Sequence, residues 1–362
     1  MKWKKPYEEK KWSILALVCF LILSFSGCGI TEEKPGETAK ASENTAGDKA
    51  LQIGMSFDSF VIERWIRDRD VFVATAKELG AEVNVQNANG DVQEQIEQIR
   101  YLIEKGVDVL VIVAADCDAL RDVVAQAHAR KIPVISYDRL IRNAGTDLYL
   151  SFDNRKVGVL MAQALKEAIP EGGEIFMIQG SMDDFNVELV REGFEAEIEG
   201  SSLSVVYEAS CEGWLAEQAI GYVSEALLMY PDVKGIMCGN DDIATQVIRV
   251  LAENRLADKV KVVGQDGDLA ACQRIVEGTQ TMTAFKSVED LARLAAGCAL
   301  KLAAREEIPE SSNTAMNDGT KDIPCVFLDP VLVRKDNMKK IIVDGGYHSL
   351  NDVYLNVFAK SQ

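Results

Sequence analysis

Histidine is nearly missing from this chain: 362 residues include only His128 and His348. A His-based metal centre or a Ser-His-Asp triad therefore has almost nothing to draw on. Past the first thirty residues cysteine is sparse and scattered, at Cys117, Cys211, Cys238, Cys272, Cys298 and Cys325. No Cys-x-x-Cys and no Cys/His cluster at zinc spacing occurs, so these read as buried thiols within apolar runs. An oxidising compartment would let some of them pair, and spacing does not assign partners. Basic charge is short as well: 39 Lys and Arg against 57 Asp and Glu leave a formal net charge of −18. That balance excludes nucleic acid, whose phosphates demand Lys and Arg, and it excludes resting flat on an anionic bilayer. The first strand-like run is not followed by Gly-x-Gly-x-x-Gly, and neither a Walker-type loop nor a Gly-x-Ser-x-Gly elbow is present. No cofactor and no metal is expected.

A long apolar run is missing too. Lys2, Lys4, Lys5, Lys10 and Lys11 precede an apolar stretch from Ile14 to Phe25. A membrane-spanning helix needs about 20 apolar residues, so this stretch suits the core of an export signal, covering residues 1–28. Its end, Phe25-Ser26-Gly27-Cys28-Gly29, resembles a bacterial lipobox, in which the cysteine is lipidated and becomes the mature N-terminus. The alternative is an uncleaved anchor. Either way the remainder lies outside the cytoplasmic membrane, held to its outer face. Residues 29–49 are rich in Glu, Thr, Ser, Ala, Gly and Lys without an apolar period, which predicts a disordered tether.

From Leu51 onward the pattern changes. Hydrophobic residues make up 48% of the chain, enough for a sizeable core, and the length suggests about two domains. Strand-like runs recur near Gln52–Ser56, Glu82–Gln86, Val109–Val113, Pro133–Tyr137, Leu148–Ser151, Glu174–Ile178, Ser204–Tyr207, Val233–Met237, Lys261–Gly264 and Met282–Ala284. Helical periods fill the gaps: Val71, Ala74, Thr75 and Glu78 share one face before Gly80, and Val92, Ile96, Ile99 and Ile103 form a stripe before Gly106. Such alternation predicts an α/β fold of parallel sheets built from right-handed βαβ units. About ten strands exceed one comfortable sheet. Two doubly wound lobes are therefore expected, 50–152 plus 286–326 and 153–285 plus 327–362, joined by a multi-strand hinge that can close on a ligand. Asn87-Ala88-Asn89-Gly90-Asp91 faintly resembles a calcium loop, but Val92 and Gln98 stand where the turn glycine and the bidentate Glu belong. Helix capping by Asn89 or Asp91 explains it better.

The strand ends carry the chemistry. In an open α/β sheet, ligands bind beyond the carboxyl ends of the strands. Here those ends deliver Asp58 and then Glu63-Arg64-Trp65, Asp138-Arg139, Asn240-Asp241, Gln265-Asp266 and Lys286. Carboxylates and amides accept from hydroxyls, Arg, Lys and amides donate to them, and an indole covers a hydrocarbon face. Together they describe a polyhydroxylated ligand. Trp65 opens the first helix, and Trp214, in Cys211-Glu212-Gly213-Trp214, is a second candidate wall. Taken singly, either tryptophan would also suit core packing and Asp138-Arg139 an ordinary surface ion pair; their common placement at the sheet edge favours binding.

These residues also resemble a known family. Glu63-Arg64-Trp65, Gln86-Asn87-Ala88-Asn89-Gly90, Tyr137-Asp138-Arg139, Ser151-Phe152-Asp153-Asn154, Gly264-Gln265-Asp266 and Gly278-Thr279-Gln280-Thr281-Met282-Thr283 resemble stretches of the type I periplasmic sugar-binding proteins, and within them the D-xylose-binding branch of bacterial xylose import. The likeness runs from Leu51 to His348. It implies that Arg64, Arg139, Asn186, Asn240, Asp266 and Lys286 hydrogen-bond a monosaccharide and that Trp65 and Trp214 stack on it. Asn186 enters through the resemblance alone. Phe185 stands where the family usually has a second Asn, and Asp241-Asp242 makes the Asn240 loop more acidic than usual.

The resemblance implies delivery of the sugar to the permease of an ABC transporter; presenting it to a membrane sensor kinase or chemoreceptor is the alternative. An enzyme is not expected. Asp138 and Asp266 could be imagined as the two carboxylates of a glycosidase, but each has basic neighbours or candidate partners that hold it ionised. A sugar-responsive repressor is set aside because an export signal stands where a DNA-reading helix-turn-helix would be.

Overall fold

The alternation of apolar runs and amphipathic stretches builds two separate sheets. The computed structural model describes residues 50–311 and 314–359; the expected export signal, Cys28 and the tether lie outside them. The first half runs β1 (Leu51–Phe57), α1 (Arg64–Glu78), β2 (Ala81–Asn87), α2 (Val92–Lys105), β3 (Val109–Ile112), α3 (Arg121–Ala129), β4 (Val134–Tyr137) and β5 (Leu148–Phe152). Next come α4 (Asn154–Ala168), β6 (Gly173–Gln179), α5 (Phe185–Ile198), β7 (Leu203–Ser210), α6 (Gln218–Met229), β8 (Gly235–Cys238), α7 (Asp241–Glu253), β9 (Lys261–Asp266), α8 (Leu269–Glu277) and β10 (Met282–Phe285). Helix α9 (Val288–Ala303) and strands β11 (Ala315–Asn317), β12 (Asp322–Leu328) and β13 (Val331–Val333) follow.

The first sheet is ordered β11-β12-β5-β4-β3-β1-β2 and the second β13-β10-β9-β8-β6-β7. Pairing is parallel except at the edges, where β11 meets β12 and β13 meets β10 antiparallel. Every residue of β3, β4 and β5 is buried. Helices cover both faces of such strands, which is why they read as unbroken apolar runs instead of alternating ones.

The chain passes between the sheets three times: from β5 into α4, from β10 into α9, which packs on α1 and β3, and from β12 into β13. Three crossings thus join the two sheets, the number a multi-strand connection needs. The division expected after residue 326 falls inside β12, which continues to Leu328. Strands β11, β12 and β13 were not among the ten expected runs.

Two local expectations change or settle in the structure. The buried face of α1 is Trp65, Asp68, Phe72 and Ala76 rather than the stripe through Val71 and Glu78. Charged residues on the inward face, Arg64 and Asp68, blur the hydrophobic period that would have identified it. At α2, Asp91 caps the helix, accepting from the Gln93 and Glu94 amides, and Gly106 closes it at φ +72°. Capping therefore accounts for the faint calcium-loop pattern. In the second unit α4 and α5 cross closely because a Cβ on Gly158 would lie 2.0 Å from the Val190 carbonyl, and one on Gly193 2.0 Å from that of Arg155.

All six cysteines from Cys117 to Cys325 are buried and none is in a disulfide. Burial pushes the Cys117 thiol up to about 12 and those of Cys211 and Cys325 up to about 11, so they are inert packing residues. Among the described residues no helix is long and apolar enough to cross a membrane.

Candidate ligand-binding site

Parallel strands of both sheets point their carboxyl ends at one cavity. From the first unit it receives Arg64 and Trp65, in the first turn of α1, and Asp138-Arg139 after β4. From the second it receives Gln179 at the end of β6, Asn186 in the first turn of α5, Trp214 after β7 and Asp266 at the end of β9. Lys286, on the β10-to-α9 crossing, completes the lining. Seven of the eight residues expected from the sequence thus share one enclosure. The eighth, Asn240, is not among the lining residues, although its neighbour Gly239 is. Its Oδ1 caps α7 by accepting from the Ile243 amide at 2.9 Å, and its Nδ2 is buried without a partner.

The polar side chains hold one another across the cleft. The Arg64 guanidinium lies 2.9 Å from Asp138, 3.3 Å from Asp68 and 3.8 Å from Asp266. It also sits 4.4 Å from the centre of the Trp65 ring, within cation–π range. Arg139 reaches Asp58 through Nη1 and Asp184 through Nε, both at 2.8 Å, and its Nη1 also donates to the Ala114 carbonyl. Because Asp58 belongs to the first unit and Asp184 to the second, Arg139 ties the two together. Asn186 does the same, donating to the Asp138 carbonyl and carboxylate at 3.1 and 3.0 Å while accepting from Tyr149 and Asn154. Lys286 Nζ stands 3.5 Å from Asp266.

Burial and pairing compete for the charge states. Burial alone would depress the Arg64 guanidinium, but Asp138, Asp68 and Asp266 outweigh it and hold it well above its ordinary value. Burial likewise pushes Asp138 up, and Arg64, Lys286 and Arg139 overcome it, leaving the carboxyl below the usual range. Asp138 is thus a fixed anion and an acceptor, not a proton donor for hydrolysis. At Asp184 burial prevails over Arg139, and its carboxyl is raised.

What remains unpaired defines what the cavity can hold. Buried polar atoms in proteins nearly always have partners. Here Trp65 Nε1, Trp214 Nε1, Arg139 Nη2, Gln179 Oε1 and Gln265 Oε1 are buried with no hydrogen-bond partner in the protein, and all five residues line this cavity. Donors and acceptors are interleaved, as a molecule with several hydroxyls requires, and the two indoles and Met237 supply apolar surface. The backbone is strained at the same place: Asp138, Trp214 and Asp266 have φ of +61°, +59° and +101°. Such conformations cost about 1–3 kcal/mol each and collect where side chains must be aimed.

Gln179 and Asp184 line the cavity without having been singled out from the sequence, whereas Asp138 and Gln265 stood in the strand-end set without entering the list of eight. Gln179 and Gln265 follow from the strand-end rule applied to β6 and β9. Asp184 offered no such signal, since it ends no strand and reaches the site as the cap of α5, accepting from the Asn186 amide at 2.9 Å.

The sequence of a periplasmic binding protein domain matches residues 53–307. The chain belongs to the periplasmic binding protein family. Over 316 residues this family member is 40% identical to the D-xylose-binding periplasmic protein of Haemophilus influenzae, spanning 86% of this chain and 94% of that protein. It is 39% identical over 310 residues to the protein of the same name from Escherichia coli K12, covering 84% and 93%. Among solved structures, an ABC transporter solute binding protein from Clostridium phytofermentans with bound β-D-glucose superposes with a TM-score of 0.77 at 27% identity, over 83% of this chain and 99% of the other. Binding protein, not enzyme, is what this family membership makes of the chain, in agreement with the ionised Asp138.

Proposed function

We propose that this protein is an extracytoplasmic solute-binding lipoprotein that encloses one monosaccharide, D-xylose first among candidates, and delivers it to the permease of an ABC transporter. The observation that carries the reading is the cavity itself, in which unpaired buried donors and acceptors converge with two indoles from opposite units. The choice of xylose rests on the 39–40% identity to proteins named for that sugar. The ligand contacts proposed are Arg64, Trp65, Arg139, Asn186, Trp214, Asn240, Asp266 and Lys286, together with Asp138, a strand-end residue that lines the cavity. Anchoring through Cys28 is supported by the basic segment, short apolar core and small residues before that cysteine.

The two units, close to 50–152 plus 286–328 and 153–285 plus 329–359, act as lobes that close on the sugar. Arg139–Asp184, Asn186–Asp138 and Arg64–Asp266 are contacts of the closed form, and opening the cleft breaks them. A permease that distinguishes closed from open thereby reads occupancy. Charge-assisted hydrogen bonds contribute about 1.5–3 kcal/mol each, more in sum than the roughly −8 kcal/mol of a micromolar complex. The surplus goes into ordering the lobes and desolvating the charges.

A thermal-shift screen across pentoses and hexoses tests the reading. D-xylose is expected to give the largest rise, since saturation at about a hundred times Kd stabilises the native state by about 2.7 kcal/mol. No shift with any sugar at millimolar concentration would refute it. Deleting the gene should abolish xylose uptake; normal uptake would argue for a sensor role instead of delivery.

Gly180 supplies a further check on the proposed stacking. A Cβ there would lie 2.2–2.4 Å from three atoms of the Trp214 ring, while the backbone conformation itself accepts any residue. Gly180→Ala should therefore displace the indole and weaken D-xylose binding at least tenfold by calorimetry, with the far-ultraviolet dichroism unchanged. Wild-type affinity would contradict the placement of Trp214 against the sugar.

A further inference from the structure

Beside the sugar cavity, three carboxylates from the two lobes meet. Glu63 precedes α1 in the first lobe, Asp242 lies in the first turn of α7 and Asp268 immediately precedes α8 in the second. One oxygen from each lies within 4.8 Å of the other two. Two oxygens each about 2.4 Å from a shared calcium ion are at most about 4.8 Å apart, so the spacing fits a single hard cation. The Glu63 backbone amide also lies close to the Asp242 carboxylate, so the two lobes approach each other at this point.

A second observation concerns Asp268. Its residue is 7% exposed, yet Oδ2 has no hydrogen-bond partner. It occupies the cap position of α8 without using its side chain as a cap, although Asp is among the residues that do so most readily. Its principal charged neighbours are Asp241, Asp242, Asp266 and Glu63, all acidic. Arg274 acts on Asp268 and Asp242 through space, while its hydrogen bonds go to Gln280 and the Asp241 carbonyl. A buried carboxylate with an unpartnered oxygen, beside one carboxylate of its own lobe and one from across the cleft, is costly unless something positive joins them.

We infer that Glu63, Asp242 and Asp268 form a site for a hard divalent cation, with calcium as the probe, that is completed when the lobes close and so couples cation binding to sugar binding. In the open form Glu63 is carried away with its lobe and two ligands remain. The coupling is reciprocal: the cation tightens the sugar by the factor by which the sugar tightens the cation.

The inference rests on the sugar-binding reading, and calorimetry separates the two. D-xylose is titrated into wild type, Glu63→Gln and Asp268→Asn, in calcium chloride and in EGTA; calcium chloride is titrated into each with and without xylose. Wild type should bind xylose at least about fivefold more tightly in calcium, with a calcium Kd of about 0.1–1 mM in the xylose-saturated protein. Both variants should lose the calcium effect, and in EGTA each should bind xylose more tightly than wild type because one repelling charge is gone. Glu63 is exposed, so its substitution leaves the fold intact even where Asp268→Asn does not. Equal xylose affinity in calcium and EGTA, or an undiminished calcium effect in Glu63→Gln, overturns the site. Should xylose give no heat in any buffer, the sugar reading fails by itself. Calcium heat seen in wild type with whichever sugar gives the largest thermal shift, and lost in Glu63→Gln, would then uphold the cation site, and its absence there would overturn it.

Discussion

Arg139→Ala is expected to lower D-xylose affinity more than a hundredfold and to lower the melting temperature as well. The side chain is 2% exposed and sits between Asp58 and Asp184, each at 2.8 Å. Removing one partner of a buried ion pair typically costs about 3–5 kcal/mol, because the remaining charge stays desolvated. Here two carboxylates lose their partner at once, and the link between the lobes goes with them. At about 1.4 kcal/mol per tenfold, even half of that cost falling on the closed form removes more than an order of magnitude in affinity. Loss of the buried, unpartnered Nη2 donor adds to it. Arg139→Lys should fall between wild type and alanine, since an ammonium keeps the charge but lacks the fork that reaches Asp58 and Asp184 together. Calorimetry with xylose, alongside a thermal melt, decides; wild-type affinity in the alanine variant would remove Arg139 from the site.

The second large effect is expected at Trp214. Its indole is buried against Gly180 and lines the cavity from the second lobe, with its Nε1 unpaired. An aromatic ring buries about 150–250 Å², and at about 25 cal/mol per Å² even a third of that surface laid on a sugar is worth more than 1 kcal/mol. Trp214→Ala should therefore weaken xylose binding at least tenfold, and Trp214→Phe, which keeps a ring but not the N–H, much less. An affinity ordered the other way would mean that Trp214 packs the lobe without touching ligand.

Much of this architecture could be read from the sequence because buried parallel strands are short apolar runs whose ends lie at a common edge. The ten expected runs correspond to β1 through β10. Strands β11 and β13, three residues each, lie at the edges of the sheets and are too short for any periodicity to reveal; β12, with Asp322 and Pro324 in its first half, was missed as well. The inward face of α1 was concealed by its own function, since Arg64 and Asp68 are buried as an ion pair and look polar in sequence. Asn240 illustrates the opposite difficulty. It ends a strand as a ligand contact would, but the same side chain caps α7, and sequence does not separate the two duties. Asp184 was out of reach because it arrives from a loop and acts through Arg139, a partner 45 positions away in the other lobe.

The central claim is that the lobes shut over a single monosaccharide flanked by Trp65 and Trp214. Crystals grown with D-xylose test it most directly. They should show one sugar in the cavity, within hydrogen-bonding distance of Arg139, Asp138 and Asp266, with an indole against its ring. A sugar bound at another surface, or a cavity without sugar in crystals grown at saturating xylose, would contradict it.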